Sequence, residues 1–211
     1  MNGTIALSID HLIIGMRDLS EGIRWVEERL GVSPKLGGQH IGRGTHNALV
    51  GLGTGTYLEV LARDPTQPVP ACGYPFDLSW DDPLLAGWAL RVNDIEECVR
   101  RARQRGYDPG KVENFNRRAG DGRIVEWRVT PVPPKYGDGV IPFVIDWGET
   151  PHPSRSAPGG CTLRRIWAEH TQADGVRRAT TALGFAFDVR TGTRERLHAE
   201  VARSDGMVVR L

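Results

Sequence analysis

A helix signal recurs at a nearly fixed interval along this chain, each time flanked by strand-like segments. Asp18 stands as an N-cap with Glu21 three positions on as capping-box partner. Leu19, Ile23, Val26 and Leu30 follow at helical spacing, and Gly31 closes the run as a C-cap. Asp94 repeats the signal 76 positions later, with Glu97 in the capping-box place, Ile95, Cys98 and Ala102 on one face, Val99 flanking it, and Gly106 as the stop. Thr171 with Asp174 repeats it 77 positions further on, over a thinner apolar pattern that ends at Gly184.

Strand candidates surround each signal. Residues 9–15 precede the first helix, and 35–42, 46–52 and 56–62 follow it, with GLGTG linking the last two as a hairpin. The second set is 87–92, 111–117, 123–130 and 140–147; the third is 162–168, 185–190, 195–202 and 207–211. The pattern predicts an α+β fold: repeated βαβββ units forming a curled mixed sheet with helices on the outer face, plus a third, weaker βαβ-type C-terminal unit packed on the same domain. The predicted divisions are 1–64, a loop at 65–86, 87–148, a linker at 149–161, and 162–211. The stretch 63–86 holds Pro65, Pro68, Pro70, Pro75 and Pro83 with Phe76 and Trp80, and reads either as a lid or binding loop or as a plain connector.

At 211 residues and 39% hydrophobic content such a fold can build a core. The net charge of +1, with no basic or acidic tail, points to neither a nucleic-acid nor a membrane partner. No apolar run reaches the length of a membrane span and no secretory signal opens the chain. Cys72, Cys98 and Cys161 are too widely spaced for a disulfide framework or a CxxC metal site, so a reduced, cytoplasmic setting is expected. Lys35, Lys111 and Lys135 stand alone among arginines, the bias of a GC-rich bacterial genome.

Along a strand side chains alternate, so Ile9, His11 and Ile13 share one face, and Tyr57, Glu59 and Leu61 share one face of the fourth strand. If both faces point the same way, His11 and Glu59 meet in one hollow. Imidazole nitrogen with carboxylate oxygen suits Zn, Fe(II), Ni or Mn, but a catalytic site of that kind needs about three protein ligands. Taken singly, each residue also reads as structural: His11 as a satisfied core side chain, Glu59 as a solvent-facing residue or a partner of Arg91 or Arg128. Aligning Asp18 with Asp94 puts Gly87 opposite His11, where there is no side chain to bind. Asp146, Glu126 or His152 could complete the set; Ile145 could not. His46 is a catalytic candidate, as general base or second nitrogen ligand, Asn47 a substrate contact, and His40 a surface residue in a glycine-rich turn. Trp127 and Trp147 read as pocket walls or core. Trp88 aligns with Leu12 as helix-facing core, Cys98 as inert core, and Trp25, off its helix's apolar stripe, as a subunit contact.

The stretches "DHLIIGMRDLSEGIRWVEERLG", "GTHNALVGLGTGTYLEVLARDP" and "PFVIDWGETPHPS" carry a further signal. A duplicated βαβββ unit with a His on its first strand and a Glu on its fourth resembles the vicinal-oxygen-chelate superfamily of glyoxalases, extradiol dioxygenases, epimerases and antibiotic-resistance proteins, and more narrowly its glyoxalase-like branch. The likeness covers roughly residues 8–155. It implies a curled sheet whose concave face holds a divalent metal, with ligands from the first and fourth strands of each unit; His11 and Glu59 match two of those places. The implied function is a metal-dependent enzyme acting on a small oxygenated metabolite by isomerase, lyase or dioxygenase chemistry. The alternative is a metal-free small-molecule or antibiotic-binding protein in which His11 and Glu59 hydrogen-bond the ligand. The sheet edge of the third unit needs a partner from within the chain or from a second copy, which makes a homodimer an expectation.

Overall fold

The computed structural model describes residues 6–70, 76, 78, 83–131 and 139–211; Cys72, Pro75, Trp80 and Lys135 lie outside them. β1 (Ser8–Met16) leads into α1 (Leu19–Leu30), then β2 (Lys35–His40), β3 (Thr45–Gly51) and β4 (Tyr57–Arg63). Asp18 starts α1 by accepting a hydrogen bond from the Glu21 amide, and Gly31 ends it in the left-handed conformation that glycine adopts at least cost. The helix buries Leu19, Gly22, Val26 and Leu30. Gly22 permits the close approach, since a Cβ there would lie 2.5 Å from Cγ1 of Val60.

The next segment has the same element order: β5 (Leu84–Arg91), α2 (Ile95–Gln104), β6 (Glu113–Arg118), β7 (Ile124–Val129) and β8 (Phe143–Asp146). Asp94 caps α2 through the Glu97 amide, while the Glu97 carboxylate turns to Arg100 and Arg101. The eight strands close in the order β1-β4-β3-β2-β6-β7-β8-β5. β1 lies parallel to β4 and antiparallel to β5. The expected curled sheet is thus a closed barrel, because β2 meets β6 through the Gln39–Arg118 pair. Outward-facing Leu12, Ile14, Leu58, Val60, Trp88 and Leu90 form the main core under the helices. Burying each such aliphatic side chain stabilises the fold by about 1.5–3 kcal/mol. Trp88 pairs across the strands with Leu12 and donates its Nε1 hydrogen to the Val140 carbonyl at 2.8 Å.

The C-terminal segment runs β9 (Cys161–His170), α3 (Ala173–Leu183), β10 (Val189–Thr191), β11 (Arg196–Arg203) and β12 (Val208–Arg210). It forms a separate sheet of order β10-β9-β11-β12 and does not extend the barrel. Phe185 and Phe187 pack on Trp88, with ring centroids 5.5 and 4.7 Å away. Thr171 is not the helix cap: its hydroxyl binds Glu195 at 2.6 Å, and α3 starts after Gln172 with no side-chain cap. Trp25 packs partly buried against the main core under the Arg29 guanidinium. Cys98 is buried, which pushes its thiol up to about 11. Among the described residues, no helix is long and apolar enough to cross a membrane.

Candidate active site

Inward-facing side chains leave a cavity of about 320 Å³ inside the barrel, lined by His11, Asn47, Glu59, Arg117, Trp127 and Trp147 among others. Strict alternation along β1 would turn Asp10 away from His11. A β-bulge between Ile9 and His11 breaks that phase and brings the two side chains together. The Asp10 carboxylate is fully buried and accepts three N–H groups: His11 Nδ1 at 2.6 Å, Trp147 Nε1 at 3.0 Å and His152 Nε2 at 2.8 Å. Burial alone would push this carboxyl up; the hydrogen bonds from His11 and His152 outweigh it and hold the group well below the usual carboxylate range. An ionised Asp10 only accepts, so His11 carries a proton on Nδ1 and turns Nε2 toward Glu59. The ring stacks on Tyr57 at a centroid distance of 4.7 Å. Burial, with Asp10 and Glu59 nearby, raises the Tyr57 hydroxyl far above its ordinary value.

His11 Nε2 lies 3.5 Å from Glu59 Oε2. Glu59 Oε1 accepts from Asn47 Nδ2 at 2.7 Å, and Asn47 Oδ1 accepts from Arg117 Nη1 at 3.3 Å. Because guanidinium only donates, this contact fixes the orientation of the Asn47 amide. Five side chains from β1, β4, β3 and β6 therefore form one line: Asp10, His11, Glu59, Asn47, Arg117. His40, at the end of β2, is buried beside it, with Nε2 3.9 Å from Glu59 Oε1 and Nδ1 2.8 Å from the Thr45 hydroxyl. Burial lowers its pKa to about 4, so it stands neutral at pH 7.

Several sequence expectations are thereby redrawn. His11, Glu59, Asn47, Trp127 and Trp147 share the cavity, with the two indoles 5.2 Å apart. His46 does not: Thr45, Asn47 and Leu49 take the inward face of β3, so His46 lines an outer groove with Arg63 and Asp64. His40, expected at the surface, occupies the interior instead. Asp146 points out of the cavity, to Arg128 Nη2 at 2.7 Å and to the first amide of α2, while Glu126 is exposed. His152 reaches the site through Asp10, on a short 3-10 turn (Pro153–Arg155) that its own ring caps. Sequence reasoning missed Asp10 and Arg117; the Asp-His dipeptide was the only sign of the first.

The residues present do not fit the divalent centre that the resemblance implies. Among the described residues, no group of three or more His, Cys, Asp or Glu side chains is arranged to hold a metal ion. The second segment presents Ile145 and Phe143 to the cavity, and Phe76 fills the space beside Gly87. One Glu59 oxygen is already held by Asn47.

A closed barrel of these two segments, with imidazole and carboxylate converging inside it, defines a protein of the vicinal-oxygen-chelate superfamily. Within that class, the family model described as a glyoxalase-like domain matches residues 9–184, and the chain belongs to that family. No curated protein matches the chain significantly. A hypothetical protein from Staphylococcus aureus shares the fold at 15% identity and a TM-score of 0.66, over 97% of this chain and 85% of that one. Methylmalonyl-CoA epimerase from Mycobacterium tuberculosis matches 68% of this chain and 88% of its own at 22% identity, with a TM-score of 0.43. A glutamine-to-alanine variant of Streptomyces coelicolor methylmalonyl-CoA epimerase, solved with 2-nitronate-propionyl-CoA, matches 67% of this chain and 98% of its own at 19% identity, with a TM-score of 0.47.

Proposed function

We propose that the chain is an enzyme that moves a proton at a carbon beside a carbonyl of a small oxygenated metabolite, with His11 and Glu59 as the proton-transfer pair. The observation that carries this reading is the Asp10–His11–Glu59 line in an apolar cavity wall. Asp10 fixes the His11 tautomer and makes Nε2 a better base. A C–H bond of the ligand breaks as the Nε2–H bond forms, and the electron pair moves onto the carbonyl oxygen. At 3.5 Å from Nε2, Glu59 Oε2 leaves no room for a carbon between the two groups. Both therefore address one face of the ligand, and the proton returns to an adjacent atom on that face, which is isomerase chemistry. The aromatic walls supply binding and exclude water.

The test is exchange of substrate protons for solvent deuterium, followed by proton NMR across 2-hydroxyketones, 2-oxo acids and 2-hydroxy acids. His11→Gln and Glu59→Gln should each slow exchange by about 10²–10⁴-fold. Wild-type protein that binds members of the panel yet exchanges none of them rejects the reading in favour of a ligand-binding protein, which the apolar walls also suit. We further propose that the three segments are duplicates of one βαβββ unit, meeting at 65–86 and 149–161, on the strength of their common element order.

A further inference from the structure

Arg117 is a cation in a wall where packing asks for an apolar side chain. It is 8% exposed and its neighbours in the cavity are mostly apolar. Its guanidinium makes one long hydrogen bond, to Asn47 Oδ1 at 3.3 Å, and its buried Nε has no partner. No carboxylate of the described residues forms an ion pair with it: Glu59 is held off by Asn47, and the rim carboxylate of Glu113 is taken by Arg43 at 3.1 Å. A buried guanidinium is ordinarily paired with an anion, because desolvation is not otherwise compensated. The backbone also makes room for this one. Gly37 sits at a bulge between Leu36 and Gly38, and a Cβ there would fall 2.2 Å from both Arg117 Nη1 and Asn47 Oδ1.

We propose that Arg117 is the anchor for a carboxylate of the ligand, so that the cavity takes small monocarboxylic acids with an apolar or aromatic body. The inference rests on the proton-transfer reading for the choice of cavity and names its substrate class. The planar fork of Arg117 receives the two carboxylate oxygens. The apolar body lies against Phe115, Trp127 and Phe143 and extends along the polar line toward His11, three side chains from Arg117.

The experiment is calorimetric titration at neutral pH with 3-phenylpropanoate and its uncharged isostere, 3-phenylpropanamide. Wild-type protein should prefer the acid by at least about tenfold, and Arg117→Gln should erase the preference while the amide binds as before. Should Arg117→Gln fail to fold, the wild type is treated with phenylglyoxal and the peptide carrying Arg117 is followed by mass spectrometry: the acid should slow its modification severalfold and the amide should not. Equal affinity for acid and amide, no binding of the acid, or a preference that survives Arg117→Gln overturns the proposal. Binding is read without turnover, so absent deuterium exchange beside an Arg117-dependent preference would sink the proton-transfer reading and leave this one standing.

Discussion

Replacing Asp10 by Asn keeps volume and shape but changes which atoms accept. The wild-type carboxylate receives His11 on Oδ1 and both Trp147 and His152 on Oδ2. If the amide oxygen stays toward His11, the new NH2 faces two N–H donors, leaving buried polar groups unsatisfied at about 1–3 kcal/mol each. The less costly arrangement points the oxygen at Trp147 and His152 and the NH2 at His11. His11 must then accept on Nδ1 and carry its proton on Nε2, toward Glu59 Oε2 at 3.5 Å. Asp10→Asn thus inverts the tautomer and removes the lone pair that takes the substrate proton. Deuterium exchange should fall by about 10³–10⁴-fold, the scale of a mis-set catalytic imidazole. Stability should fall by only about 1–3 kcal/mol, from weakened charge-assisted bonds, or roughly 3–10 °C in a melt for a chain of this size. The folded carboxyl lies below its ordinary 3.8, so its contribution to stability is complete above that pH and is lost as pH drops beneath it. The deficit of the variant must therefore shrink only below about pH 4. Nitrogen-15 NMR of the His11 ring reads the tautomer directly. A proton that stays on Nδ1 in Asp10→Asn, or exchange within tenfold of wild type, would refute the reasoning.

Gly22→Ala gains about 1 kcal/mol of helix propensity but forces a Cβ into Cγ1 of Val60 at 2.5 Å, so thermal unfolding should show a net loss of about 1 kcal/mol. His40 has its folded pKa lowered to about 4, below the unfolded 6.5; its neutral form is favoured in the fold, so the stability it contributes is full above pH 6.5 and declines as pH falls toward 4. Urea titrations between those limits should show a loss of up to about 3 kcal/mol in wild type that His40→Gln lacks. His46→Ala, in the outer groove, should leave deuterium exchange and carboxylate preference unchanged; a tenfold loss in either would return His46 to the site.

Much of the framework was legible because it is local. Asp18 with Glu21, Asp94 with Glu97, and Gly31 and Gly184 as helix stops all act within a few residues, and each sits where its spacing put it. Trp88 as helix-facing core follows from its alignment with Leu12 in the repeat. His40, read as a surface residue of a glycine-rich turn, is buried at the end of β2, and His46 faces the outer groove from the start of β3, because the face a residue takes near a strand end depends on a register the sequence does not display. Closure of the barrel hangs on the Gln39–Arg118 pair, which joins strands distant in sequence and leaves no mark in either. Thr171 failed as a cap because a long-range partner, Glu195, claims its hydroxyl.

The two residues that sequence reasoning missed share one cause. Asp10 reaches His11 through a bulge in β1, and Arg117 reaches Asn47 across a bulge in β2 at Gly37. Each inserted residue breaks the period of two on which face assignment depends, so alternation brings His11 and Glu59 together in the cavity but does not reach Asp10 or the space beside Asn47. The bulges stand at opposite ends of the same polar line: one supplies the carboxylate that sets the His11 tautomer, the other the space in which a guanidinium sits beside Asn47. A regular β1 would turn Asp10 outward into the core under the helices, and a side chain at position 37 would displace Arg117. The polar line therefore exists because the barrel is irregular at these two places, and glyoxalase-like chains that lack either bulge should lack the residue it serves.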